Sequence, residues 1–283
     1  MPRFLRILFS GSAFVAFFFT AAVLGRLLLP LALHWPGSPA RRAARRERIL
    51  LLSYRSFIGY MRVLRLITFT RPALPADFPA PGRAYLLISN HPSLIDVLVL
   101  TGTLPGLTSV AKASWFRSWL MRPLLEYAGY IPGADDRALA AAGEADPGED
   151  HSPVLERMTE HLRAGHPLLV FPEASRSHER SLRRFRRGAI AAAIRAEVPI
   201  VPAFVSVVPP MLMKHQAWYD VPRRGGHYSV EFFPVIETAG QALDSRAVTR
   251  ELRARYELRH AQMLAERDAL TAATAPPPKP LPG

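Results

Sequence analysis

The sequence predicts an α/β fold, a mixed and mainly parallel sheet flanked by helices, with an N-terminal membrane-associated helical segment ahead of it. Three observations carry this reading. From residue 83 onward, short apolar runs alternate with stretches of helical period, the pattern of βαβ crossovers. Residues 7–25 form a run of 19 uncharged residues. The chain of 283 residues is 49% apolar and 21% charged, enough apolar material for a full core. There is no cysteine, which excludes disulfides, thiolate metal sites and a cysteine nucleophile.

Taken in order, the first element is the apolar run 7–25, interrupted by Arg26 and resumed over 27–33. Nineteen residues at 1.5 Å each span about 28 Å, close to the hydrocarbon thickness of a bilayer. A secretory signal with Arg3 and Arg6 as its basic end is the competing reading. The length of the run and the arginines that follow it (Arg41, Arg42, Arg45, Arg46 and Arg48) favour a retained anchor. Basic residues at both ends suit a re-entrant or interfacial hairpin, with Pro30, Pro36 and Gly37 as break points. Residues 45–68 then read as an amphipathic helix. Arg48, Arg55, Arg62 and Arg65 lie along one edge, and Ile49, Leu52, Phe57, Tyr60, Val63, Leu64 and Ile67 occupy most of the rest, as in a helix lying among headgroups. Residues 1–70 are thus expected to anchor the chain, and the Pro-rich 71–82 to be a linker.

The globular domain is expected over 83–270. Its strands are predicted at 84–89, 107–112, 167–172, 199–207 and 227–233. Its helices are predicted at 94–101, 114–128, 152–164, 186–197 and 243–270. Residues 132–151 read as a loop and 271–283 as a disordered Pro-rich tail.

The formal charge is +13, and its placement matters more than its size. Residues 1–83 hold 13 arginines against Glu47 and Asp77, whereas the remaining chain is nearly balanced. A nucleic-acid binder carries its basic stripe on the folded domain. Here the excess lies beside the most apolar segment, which points to an anionic membrane surface and away from nucleic acid.

Two motifs carry chemistry, both at predicted carboxyl ends of strands, where α/β sheets place their sites. In Ser89-Asn90-His91-Pro92-Ser93-Leu94-Ile95-Asp96, His91 and Asp96 are five residues apart. Inside one helix they would diverge by 140°. With His91 in the strand-to-helix turn and Pro92 in the first helical turn, Asp96 reaches back to hold one imidazole nitrogen and raise the basicity of the other. A plain helix start, capped by Asn90 with His91 incidental, is the simpler alternative. The second motif, Phe171-Pro172-Glu173-Ala174-Ser175-Arg176-Ser177, opens a stretch in which 176–187 holds six arginines against Glu179. Arginine forks with neighbouring hydroxyls suit a phosphate or another anion. Arg180, Arg183 and Arg184 read as a solvated charged loop, while Glu173 and Arg176 adjoin the strand. Among nine histidines no H-E-x-x-H spacing occurs, so no metal is expected. No G-x-S-x-G elbow occurs either.

Together these segments resemble the glycerolipid acyltransferase family, which includes the 1-acylglycerol-3-phosphate acyltransferases. Its N-H-x4-D block is met by Asn90, His91 and Asp96. Its F-P-E-G-T-R-S block is met by Phe171, Pro172, Glu173, Arg176 and Ser177, with Ala174 and Ser175 substituted. Its V-P-I-x-P block is met by Val198-Pro199-Ile200-Val201-Pro202, preceded by Phe185-Arg186-Arg187-Gly188-Ala189. The second block departs. Lys112-Ala113-Ser114-Trp115 lacks the family's Glu-Leu, and Asp135 stands where an acceptor-binding arginine is usual, with Arg137 two residues on. The variant also resembles, more loosely, acyltransferases of aryl-polyene pathways.

The resemblance implies a fatty acyl transfer from acyl-CoA or acyl carrier protein to a hydroxyl of a lysophospholipid-like acceptor. It implies no cofactor, no metal and no acyl-enzyme. His91 is then the general base and Asp96 orients it. Asn90 and the amides of its turn are candidates for holding the oxyanion. Lys112, Glu173, Ser175 and Arg176 complete the candidate substrate-binding set, with Glu173 and Arg176 positioning the acceptor. The implied place is the inner (cytoplasmic) membrane, with the domain facing the cytoplasm and membrane lipids as partners. A hydrolase using the same pair on water, and a catalytically silent membrane-surface protein, are the competing classes.

Overall fold

The computed structural model describes residues 2–134 and 152–274. Asp135, Arg137, most of the expected 132–151 loop and 275–283 of the expected 271–283 tail lie outside the described residues, whereas 271–274 continue the last helix. The chain opens with helix α1 (Arg3–Val23), which runs through one π-helical turn (Leu24–Leu28) into α2 (Leu29–His34). Helix α3 (Pro39–Val63) returns alongside. Contacts of Phe17 with Phe57, Tyr60 with Ser12 and Arg45 with Ala32 make the pair antiparallel. Of the expected break points, Pro30 does not break the helix. It has no amide hydrogen for the Arg26 carbonyl, and the wider π turn passes the gap, with the Leu29 N–H reaching back to the Leu24 carbonyl. The reversal falls at 35–38, where Gly37 takes φ +147°. Arg45 fastens it, donating to the carbonyls of Ala32, Trp35 and Pro36 at 3.1, 2.7 and 3.1 Å, so one guanidinium closes the end of α2. By length and composition, Arg3–His34 is a helix long and apolar enough to cross a membrane.

The domain follows as β1 (Ile67–Thr70), β2 (Leu86–Ser89), α4 (Asp96–Thr103), β3 (Thr108–Ala111), α5 (Ala113–Phe116), α6 (Arg122–Tyr127), β4 (Ile131–Pro132), α7 (Pro153–Arg163), β5 (Leu168–Val170), α8 (Gly188–Arg195), β6 (Ile200–Val208), β7 (Gly226–Phe232) and α9 (Ser245–Thr274). The sheet order is β1-β7-β6-β2-β5-β3-β4, and only the β6–β7 pairing is antiparallel. Central β2 is buried on both faces, as a parallel strand between helical layers must be. Leu87 packs with α1, α3 and α4, while Leu86 and Ile88 pack with α7, α8 and α9. Each such side chain contributes about 1.5–3 kcal/mol of burial.

Two expectations are corrected. The helix expected over 45–68 covers 39–63 instead, and 67–70 joins the sheet as an edge strand beside β7. The helix ends because Arg65 turns left-handed at φ +54° and the Leu66 N–H reaches the Met61 carbonyl, burying Leu66 completely. The helix expected over 114–128 is split into α5 and α6. Pro123 cannot donate to the carbonyl of Trp119, four residues earlier. That carbonyl accepts from Arg26 instead, whose guanidinium also lies 4.7 Å over the Trp119 ring. The N-terminal helical segment is thereby tied to the domain. Gly25 permits the contact, since a Cβ there would sit 2.6 Å from the Leu124 backbone nitrogen.

Candidate active site

The carboxyl ends of the neighbouring parallel strands β2 and β5 deliver the two motif segments side by side. Asn90 leaves β2 fully buried. Its carboxamide accepts from the Val205 N–H at 2.7 Å and donates to the Val205 carbonyl at 2.8 Å, extending the β2–β6 ladder with a side chain. The backbone of His91 is gripped from both sides. Its N–H donates to Glu173 Oε1 at 3.1 Å, and its carbonyl accepts from the Ser177 N–H at 2.7 Å. The imidazole stacks on Phe171 with centroids 4.1 Å apart. Its Nδ1 lies 3.0 Å from Asp96 Oδ2, and its Nε2 has no hydrogen bond among the described residues.

Asp96 reaches His91 by a different route from the one expected. Pro92 is not helical, because α4 begins at Asp96 itself. Residues 92–95 form a separate turn that folds the carboxylate back onto the imidazole, and the Ser93 N–H donates to the same Oδ2 at 2.7 Å. Asp96 is fully buried. Burial pushes its carboxyl up, while the bonds from His91 and Ser93 and the Arg176 charge oppose the shift.

Glu173 is buried and occupied by the protein. Oε1 takes the His91 N–H and the Ser177 hydroxyl (2.6 Å), and Oε2 takes the Arg183 N–H at 2.7 Å. It therefore staples the two motif loops together, with both carboxylate oxygens engaged by the protein. Asn90 and the turn amides of His91, Ser93 and Leu94 are engaged by the protein likewise. The carboxamide serves the ladder, the amides of His91 and Ser93 serve carboxylates, Leu94 donates to the Leu212 carbonyl, and Pro92 has no N–H.

His91 lines a cavity of about 940 Å³ between the sheet edge and the α1–α3 pair. Phe14, Phe17, Phe57, Val97, Leu98 and Leu125 make much of its wall apolar. Lys112, Ser175 and Arg176, singled out in the sequence, also line it. Arg176 is anchored by Nη1 to the carbonyls of Leu212 and Met213 at 2.8 and 3.0 Å, and partial burial lowers its pKa. Two cations that sequence reasoning missed share the wall, Arg186 and Lys214. Arg186 had a signal in the Phe185–Ala189 phrase. Lys214 had none beyond being one of three lysines in an arginine-rich chain. Among the described residues, no group of three or more histidine, aspartate or glutamate side chains has metal-holding geometry.

Residues 70–206 match the acyltransferase family. The chain is 33% identical over 129 residues to a probable 1-acyl-sn-glycerol-3-phosphate acyltransferase of Mycoplasma pneumoniae, covering 43% of this chain and 44% of that one. It is 32% identical over 127 residues to a lyso-ornithine lipid O-acyltransferase of Pseudomonas aeruginosa, covering 45% of each. The matches thus span just under half the length of these relatives. The fold matches that of the 1-acyl-sn-glycerophosphate acyltransferase PlsC of Thermotoga maritima, with a TM-score of 0.71 at 15% identity over 93% of this chain and 98% of the other. The segment that sets an N-H-x4-D turn beside an F-P-E-x-x-R-S turn therefore lies within the region that matches the acyltransferase family, on a chain that shares the fold of a PlsC structure.

Proposed function

We propose that this chain is a membrane-associated O-acyltransferase that moves a fatty acyl group from acyl-CoA or acyl carrier protein to a hydroxyl of a lysophosphatidic acid-like acceptor. One observation carries the reading: the His91 imidazole, held at Nδ1 by a buried carboxylate, borders a cavity that is apolar along the membrane helices and cationic at the sheet edge. The apolar part suits an alkyl chain, and Lys112, Arg176, Arg186 and Lys214 suit an anionic headgroup or the phosphates of the donor.

In this mechanism Nε2 takes the acceptor hydroxyl proton as the oxygen attacks the thioester carbonyl. The tetrahedral oxyanion collapses, the carbon–sulfur bond breaks, and the departing thiolate takes the proton back from the imidazolium. Asp96 stabilises that imidazolium and holds the ring's orientation, as the acid of a catalytic triad does. The cavity's cations supply positive charge for the oxyanion. Because α1 and α3 form one wall, a lipid acceptor enters from the membrane side without crossing water. The same reading places residues 1–63 in the anchor and the catalytic domain on the cytoplasmic face of the inner membrane.

The test uses purified full-length protein in vesicles, offered labelled acyl-CoA or acyl carrier protein with lysophosphatidic acid or lyso-ornithine lipid. Ester formation is expected, and His91→Ala is expected to lower kcat by about 10²–10⁴ with the fold retained. Release of free fatty acid regardless of acceptor would assign the pair to hydrolysis. Undiminished transfer in folded His91→Ala would remove His91 as the base.

A further inference from the structure

The general-base reading uses Asp96 but leaves unexplained how a fully buried carboxylate with one unpartnered oxygen is held to a single task. Oδ2 accepts from both the Ser93 N–H and His91, whereas Oδ1 is buried and has no hydrogen-bond partner among the described residues. Asp96 sits at the very start of α4, so the non-helical turn 92–95 decides which oxygen faces the imidazole. That turn is anchored from afar. The Ser93 hydroxyl lies 2.5 Å from the hydroxyl of Tyr228, which comes from β7, 135 residues later in the chain. Both residues are fully buried. Tyr228 stands opposite Val207 in the antiparallel β6–β7 ladder, near the carboxyl end of β6 and so at the same edge of the sheet as the site. Its phenol is pushed far up by burial and by the Asp96 charge, so it stays protonated and offers a neutral dipole at every working pH.

We propose that Ser93 and Tyr228 are positioning residues for the reaction: the buried hydroxyl pair fixes the 92–95 turn so that the Ser93 N–H pins Asp96 Oδ2 against His91. This rests on the general-base reading above and extends it to two residues that touch neither substrate. The geometry has a further feature in its favour. The Ser93 N–H and Oγ point to different partners, so one residue couples a long-range anchor to the carboxylate. Nothing else among the described residues bonds to the Ser93 hydroxyl.

The experiment is a double-mutant cycle on the full-length protein, read as kcat and as KM for each substrate. Tyr228→Phe is expected to lower kcat about tenfold, the middle of the coupling range for members of one hydrogen-bonded network, with both KM values within about twofold of wild type. In an Asp96→Asn background, the same change is expected to leave the residual rate within about twofold, because the carboxylate it positions is gone. Ser93→Ala should repeat both results, and Ser93→Thr, which restores a hydroxyl, should recover most of the rate. The Ser93 pair carries the test if Tyr228→Phe does not fold. Equal proportional losses in both backgrounds, or an unchanged kcat in folded Tyr228→Phe, overturn the proposal. Wild-type turnover in Asp96→Asn would instead overturn the general-base reading itself, so the two failures are distinguishable.

Discussion

Ala174 occupies the left-handed region at φ +54°, where the Cβ of an ordinary residue crowds its own carbonyl. The resemblance places a glycine at this position, and the turn it makes puts Ser175 and Arg176 on the cavity wall. Replacing Ala174 with Gly removes strain worth about 1–2 kcal/mol but adds about 0.5–1 kcal/mol of unfolded-chain entropy. The net is an expected stabilisation of roughly 0.5–1 kcal/mol, read as a rise in urea midpoint with unchanged slope. A lower midpoint would show that the turn tolerates the methyl group. At this scale, the sequence exposed the chemistry better than the architecture. The His91–Asp96 contact was legible because an imidazole and a carboxylate five residues apart come within reach of each other in one turn. The hydrogen bonds of Glu173 and Asn90 were not, because their partners are mostly backbone groups: the Val205 peptide lies 115 residues from Asn90, and a carboxylate bound to amides looks in sequence like one waiting for a ligand.

Between elements, the contact of α7 with β3 carries a titratable group in an unusual state. His161 on α7 has its Nε2 2.7 Å from the Thr108 hydroxyl of β3, with the His166 ring 5.2 Å away. Burial, then the charges of His166 and Arg46, lower its pKa from 6.5 to about 4. The unfolded chain therefore binds more protons than the folded one between those values, and stability falls as pH drops from about 6.5 towards about 4. Because the ring is partly solvated, the loss is discounted to about 1–2 kcal/mol. Urea midpoints measured across that range should fall less steeply in His161→Gln, which keeps a partner for Thr108. Parallel slopes would mean that His161 titrates normally. Most elements were legible from apolar runs and helical periods, to within a few residues. The exceptions have local causes that composition hides. Arg65 ends α3 in a conformation usually reserved for glycine, and β1 is four residues long with only Ile67 fully buried. Strand β4 has two residues, too few for any period.

Across the whole molecule, the N-terminal helical segment is built into the fold and does not hang from it. Ser10, Ala13 and Ala21 of α1 are buried against the domain, whereas Phe4, Leu8, Val15 and Phe19 are 60–70% exposed. At 100° per residue those four lie within about 60° of one another, on the side away from the buried three. One helix therefore turns one side to the cavity and an exposed stripe of large apolar residues outward, the division expected of a wall between protein and lipid. On α3, Arg48 and Arg62 are exposed, as is Arg65 just beyond its end, while Arg55, though also at the surface, donates to the Gly102 carbonyl on α4 at 3.0 Å. The two sources of membrane affinity can thus be separated. The double change Leu8→Ser with Phe19→Ser removes exposed apolar area only, so vesicle binding should weaken by about 2–3 kcal/mol, roughly 30- to 150-fold. The thermal midpoint in detergent should stay close to wild type. The binding that remains should decline steeply with salt, because it rests on surface arginines screened over about 10 Å at 0.1 M. In the wild type, the apolar contribution should keep much of the binding at high salt. Unchanged vesicle binding together with a lowered midpoint would show that this face of α1 is docked against protein, and that the arginine edge of α3 alone meets the bilayer.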